Sequence, residues 1–129
     1  MENDYASYEL ALALKKSGFD EPCDRYYSKE DAPDGQVWIL PCLLQDSNNH
    51  FMKRYISAPT LAQAQKWLRE VKGIYAYPGI NALKKWFARV VDLKNNEELL
   101  MDGAMFNTYE EAQSHAISYA LQLLDNEKQ

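Results

Sequence analysis

The chain has 129 residues, 47% of them hydrophobic and 26% charged, with nine Tyr, four Phe and three Trp. A chain of that length buries roughly 65–70% of the surface its unfolded form exposes, so it needs neither a metal nor a disulfide framework to fold, and the composition excludes a disordered or fibrous class. Net charge is −5, unevenly spread: ten acids and four bases over residues 1–50, two and nine over 51–94, seven and one over 95–129.

The chain starts MENDYASYEL, acidic where a secretory signal carries a basic n-region, and no apolar run approaches the ~20 residues of a membrane span. Two cysteines, Cys23 and Cys42, are too few for a disulfide framework. They read as thiols of a soluble cytoplasmic protein, with a single bridge between them as the alternative. One domain over residues 1–129 is expected, with flexible ends at 1–4 and 125–129.

The first element is a helix over about 8–17, started by Ser7 and closed by Lys16-Ser17-Gly18, where Gly supplies the left-handed residue past the last turn. CDRYY, the turn DAPDGQ, the run VWILPCLL, the turn QDSNNH and FMKRYI come next as strands and turns. Pro41 cannot donate to a ladder, so its position is at an edge or a bulge. A second helix is expected over 61–72. Thr60 and Gln63 form a capping box ahead of the stripe Leu61, Ala64, Leu68, Val71, with Trp67 beside it as a core residue. Val71-Lys72-Gly73 closes that helix as Lys16-Ser17-Gly18 closes the first.

IYAYP, the turn GINA, the strand KKWFARVVDL, the turn KNNE and a short ELLM continue the chain. Asp102-Gly103 turns it into the third helix, over 109–124, where Thr108 and Glu111 repeat the capping box. The echo between TLAQAQKWL and TYEEAQSHA is therefore helix punctuation rather than a catalytic signature. Strands in runs between helices, joined by short turns, give the α+β class: a mainly antiparallel sheet packed with three helices, in the order α-β-β(-β)-α-β-β(-β)-α.

SGFDEPCDRYY, SAPTLAQAQKWLREVKGI and NTYEEAQ together resemble a family of small uncharacterised proteins of bacterial phages and mobile elements. The resemblance covers about residues 7–124. It implies a small α/β fold in a phage-related setting. That family carries no established activity, so it transfers no site residue, cofactor or partner.

Chemistry-bearing patterns are sparse. Cys23, Cys42, His50 and His115 include no close-spaced ligand pair of the kind structural zinc sites use. A Cys–His nucleophile would need Cys23 to meet His50 or His115 in space. Phosphate-cradling glycine motifs are absent, and DSNNHF lacks the Gly and the final acid of a calcium loop. The paired acids Asp20/Glu21, Glu97/Glu98 and Glu110/Glu111 read as loop solvation or as charge at helix starts. No catalytic residue, cofactor or metal is nominated.

The basic middle remains. In KKWFARVVDL one strand face carries Trp86, Ala88 and Val90, and the other Lys85, Phe87, Arg89 and Val91. If the first face meets the helices, the second interleaves bases with aromatics, as surfaces that stack unpaired bases do. If instead Phe87, Val91 and Leu93 form the core side, Lys85 and Arg89 snorkel at its margin. The face turned away from the second and third helices is expected to be covered by the first helix or by a partner chain. The candidate interaction surface is Lys53, Tyr55, Lys85, Phe87 and Arg89. The leading function is a non-enzymatic phage or mobile-element accessory protein that binds another protein or itself, with no membrane contact. A nucleic-acid-binding module using residues 51–94 is the alternative, and a small enzyme with a Cys/His site comes third.

Overall fold

The structure, a computed structural model, describes residues 4–30, 32–48, 55–100 and 103–127. Its elements are α1 (Tyr8–Lys16), β1 (Cys23–Ser28), β2 (Trp38–Asp46), β3 (Tyr55–Ser57), α2 (Leu61–Trp67) running into a π-helical turn (Leu68–Lys72), β4 (Ile74–Ile80), β5 (Trp86–Asp92), β6 (Glu97–Glu98), β7 (Met105–Phe106) and α3 (Tyr109–Glu127). The α+β class and the expected element order hold, with the strands divided between two antiparallel sheets. By backbone contacts the chain divides into two compact units, Met1–Thr60 and Leu61–Gln129.

In the first unit, Ser7 caps α1 by accepting a hydrogen bond from the Leu10 N–H at 3.2 Å. The helix ends as its sequence predicts. Gly18 takes a left-handed φ of +97°. Its N–H donates to Lys15 O at 3.1 Å and the Phe19 N–H to Leu14 O at 2.9 Å, the two bonds of a Schellman motif. That motif turns Phe19 inward beside Leu14, and both are buried. The strand order is β2-β1-β3. Pro41 lies on the edge strand β2, opposite Arg25, where the register shifts between Cys23 and Arg25. It therefore has both the edge and the irregularity that a residue without an N–H requires. Buried Asn48 ties the unit together: its amide donates to Phe19 O at 2.7 Å and accepts from the Ser57 N–H at 2.8 Å. Of the predicted strand FMKRYI, residues 51–54 lie outside the described residues.

In the second unit, α2 buries Leu61, Ala64 and Trp67, and the π-helical turn buries Leu68. Val71, the last member of the expected stripe, is 58% exposed. The cause is the π-helical turn, in which the Gly73 N–H bonds back to Leu68 O, five residues away. One extra residue in the turn rotates the next side chains by about 100°, so Val71 leaves the face that Leu61, Ala64 and Leu68 share.

The second sheet runs β4-β5-β6, with β7 also paired to β5. β7 has no counterpart in the sequence reading, which took Asp102-Gly103 directly into the last helix. α3 packs on β4 and β5. The buried Ala112, Ala116, Ile117, Ala120 and Leu121 of α3 form the helix side of that core. Ile74, Ala76, Ala88 and Val90 form the strand side, with Val90 fully buried and Leu93 46% exposed. The reading that placed Phe87, Val91 and Leu93 on the core side is thus overturned.

Candidate functional site

The face of the second sheet opposite α3 is set by register. β4 and β5 pair Tyr75 with Val91, Tyr77 with Arg89, and Gly79 with Phe87. Because Ala76 and Val90 face α3, these six residues share the other face. Tyr75 and Tyr77, two apart on one strand, stack with ring centroids 4.3 Å apart and planes 21° from parallel. A guanidinium lies near each ring: Arg69 is 5.8 Å from the Tyr75 centroid and Arg89 is 5.6 Å from that of Tyr77. Both distances are within cation–π range. Arg69 belongs to the π-helical turn, so the irregularity that expels Val71 belongs to the same stretch that carries a cation to the sheet face. Lys72, at the end of that turn, lies 5.6 Å from the Trp67 ring.

Phe87 owes its position to Gly79. A side chain on Gly79 would put its Cβ 2.6 Å from Phe87 Cζ. The far end of the ring therefore occupies the space above the neighbouring strand, and only glycine permits it. Lys85, just before β5, is exposed and donates from Nζ to Asn107 Oδ1 at 3.0 Å.

Two acids of β5 and β6 have hydrogen-bond partners: Glu98, and Asp92, which pairs with Ile74 and so lies on the α3 side of the sheet. Glu98 accepts from Arg89 Nε at 3.0 Å. Asp92 accepts from the Lys94 N–H at 2.9 Å and from Asn95 Nδ2 at 3.1 Å. Over residues 69–98 there are six bases and four acids.

The outer edge of β4 is closed to strand addition. The Leu93 N–H donates to Gly73 O at 2.9 Å, which fixes the phase of the β4–β5 ladder. Tyr75, Tyr77 and Gly79 therefore turn their backbone groups toward β5, while Ala76 and Pro78 turn theirs outward. Pro78 has no N–H to offer there, and Gln65 Nε2 already occupies Ala76 O at 2.8 Å. The exposed surface on this side of the unit is a side-chain face rather than a backbone template.

Of the residues nominated from sequence, Phe87 and Arg89 come together on this face, and Lys85 stands at the hairpin end of the same sheet. Tyr55 lies in the first unit, on β3, where its ring meets Tyr26 at 4.7 Å and its carbonyl accepts from Lys15 Nζ at 3.2 Å. Burial lowers the pKa of Lys15. Lys53 lies outside the described residues. Sequence reasoning missed Arg69, Tyr75 and Tyr77. The Tyr-x-Tyr spacing in IYAYP is a period-2 signal that could have placed both rings on one face.

The other candidates have structural surroundings. Cys23 and Cys42 are thiols, one buried and one half-buried, and Cys23 Sγ donates to Glu21 O at 3.4 Å. His115 packs its ring 5.0 Å from that of Phe106. His50 lies outside the described residues. Among the described residues no group of three or more His, Cys, Asp and Glu side chains is placed to hold a metal ion, and no helix is long and apolar enough to cross a membrane. Comparison of the chain with family models, curated proteins and solved structures returns no match.

Proposed function

We propose that the second unit binds single-stranded nucleic acid on the face carrying Tyr75, Tyr77, Phe87 and Arg89. The observation that carries this reading is the stacked tyrosine pair with a guanidinium at each end. Sequence-tolerant binders of single strands combine rings, on which bases stack, with cations that follow the backbone. The sequence alone ranked protein binding first. What supports reversing that order is the burial of Ala88 and Val90 against α3, which leaves the aromatic-basic side as the outer one.

Titration of the protein with labelled single-stranded DNA and RNA tests the proposal. Arg69 and Lys85, with Arg89 already paired to Glu98, predict a log–log salt slope of roughly −1 to −2. Tyr77→Ala should weaken binding about fivefold or more, the low end of what one lost stacking partner costs. Binding absent at low salt would overturn the proposal.

Binding to a protein partner or to a second copy is the competing reading. It is favoured by exposed Ile80, Leu83 and Met105, of which Met105 Sδ lies 3.3 Å from Asn81 Nδ2 in the hairpin turn. Sedimentation equilibrium separates the two. A wild-type dimer converted to monomer by Phe87→Glu would favour self-association. A role in phage or mobile-element biology rests on the sequence resemblance alone.

A further inference from the structure

The second sheet has a notch. β6 pairs with the far end of β5, through Val91 and Asp92, while β7 pairs with its near end, through Trp86 and Phe87. Between these two short pairings, among the described residues, no strand pairs with Ala88 and Arg89 on that side of β5. The resulting depression has a volume of about 360 Å3 and is lined by Phe87, Ala88, Leu100 and Ala104, with Arg89 and Glu98 among its polar residues. It belongs to the same surface as the tyrosine stack, because Arg89 reaches both Tyr77 and Glu98.

We infer that this notch receives one nucleobase, splayed out of the strand that tracks across Tyr75 and Tyr77. The inference rests on the proposed single-strand binding. Three features select this occupant. The volume lies at the low end of small-molecule pockets, suited to a single heterocycle with its sugar. The lining is apolar, with one ring, Phe87, that the absence of a side chain at Gly79 allows to lie across the strands. Its polar pair, joined through Arg89 Nε and Glu98 Oε1, leaves the other guanidinium N–H groups and the second carboxylate oxygen as a donor beside an acceptor. Every base edge presents a complementary acceptor and donor, so the notch takes a base without choosing which. A phosphate is disfavoured there by the carboxylate and by the largely apolar lining, so the backbone stays outside, on the side of Arg69.

The test combines a filled notch with a wild-type measurement. Ala104→Leu places a larger side chain in the depression. It should weaken binding of a labelled oligodeoxythymidylate or oligodeoxycytidylate about tenfold while leaving the salt slope unchanged, because the lost contact is apolar. Arg69→Gln should instead reduce the slope by about 0.7, one phosphate contact. In the wild-type protein, the methyl resonances of Ala88, Leu100 and Ala104 should shift when either oligomer is added. That measurement stands even if Ala104→Leu fails to fold. Salt-sensitive binding with unshifted notch methyls, or with full affinity in a folded Ala104→Leu, overturns the notch and leaves the tyrosine track standing. Loss of all salt-sensitive binding in wild type overturns the track and the notch together.

Discussion

The two units use the same local order, a helix followed by antiparallel strands, yet arrange the strands differently. In the first unit the first strand is central, with β1 between β2 and β3. In the second unit the second strand is central, with β5 between β4 and the pair β6 and β7. Proline accounts for part of the difference. β2 contains Pro41 and β4 contains Pro78, and each is the edge of its sheet. The central strands β1 and β5 contain none. A central strand must donate on both sides, which a proline position cannot do. The helices only deliver the chain; the first strand that can be bonded on both sides takes the middle.

The largest expected effect probes the core of the second unit. Trp67 is buried on α2, within the turn before the π-helical segment. Trp67→Ala should cost about 3–5 kcal/mol, the range for deleting a large core aromatic. Chemical denaturation followed by circular dichroism measures it. A denaturation midpoint within error of wild type would mean that the ring is a surface platform and that the two units differ in how they build their cores.

Gly79→Ala probes the sheet face. The backbone at Gly79 has no left-handed φ, so alanine is allowed there, but its Cβ would meet the Phe87 ring. The ring must lift away, at an expected cost of about 1–3 kcal/mol for an overpacked contact. In a Phe87→Ala background the same change should be neutral or slightly stabilising. A double-mutant cycle with zero coupling would remove the reason given for the position of Phe87.

How far the sequence was legible depends on the range of each interaction. Helix starts and stops are local: Ser7, Gly18, Gly73 and Thr108 act on neighbours within five residues, and each is where the pattern predicts. The π-helical turn has no such local code, so Val71 was misplaced and Arg69 overlooked. Strand order was half-legible. Pro41 was read as an edge or bulge residue, and the same reasoning applied to Pro78 would have marked β4. The site was legible only as a face of one strand. Phe87 and Arg89 were nominated from β5, but bringing Tyr75 and Tyr77 beside them needs the β4–β5 register, which no local pattern supplies. β7 is two residues long, too short for periodicity to register.

A smaller effect separates the units by pH. In the first unit the Tyr27 hydroxyl donates to Ala6 O at 2.6 Å, and its ring meets Tyr8 edge-to-face at 5.6 Å. Burial, and secondarily the Glu9 carboxylate, raises the Tyr27 pKa above 10.0. Its folded-state pKa therefore exceeds the unfolded one. The contribution is complete below pH ~10 and is lost as pH rises through the folded pKa. Tyr27→Phe should cost about 1–2 kcal/mol at neutral pH, because the Ala6 carbonyl loses its donor in a buried setting. The gap between variant and wild type should narrow above pH 10. A gap independent of pH would assign the loss to packing with Tyr8 alone.

The smallest effect compares the helix caps themselves. Thr108 Oγ1 accepts from the Glu111 N–H at 3.1 Å and donates to Glu111 Oε1 at 3.0 Å, so the acid returns to the hydroxyl. Ser7 Oγ makes the corresponding backbone bond to Leu10, and the position of the returning acid is held by Leu10 itself. Both caps satisfy an N–H that the first helical turn cannot. Thr108→Ala should cost about 1 kcal/mol and Ser7→Ala the same or somewhat less, since a capping box adds a reciprocal contact to the simple cap. Glu111→Ala removes only that extra contact. It should bring the Thr108 cap down to the level of Ser7, a few tenths of a kcal/mol, read as a shift in denaturation midpoint at constant slope. An equal loss for Glu111→Ala and Thr108→Ala would show that the carboxylate acts on its own, through the helix dipole, rather than through the threonine.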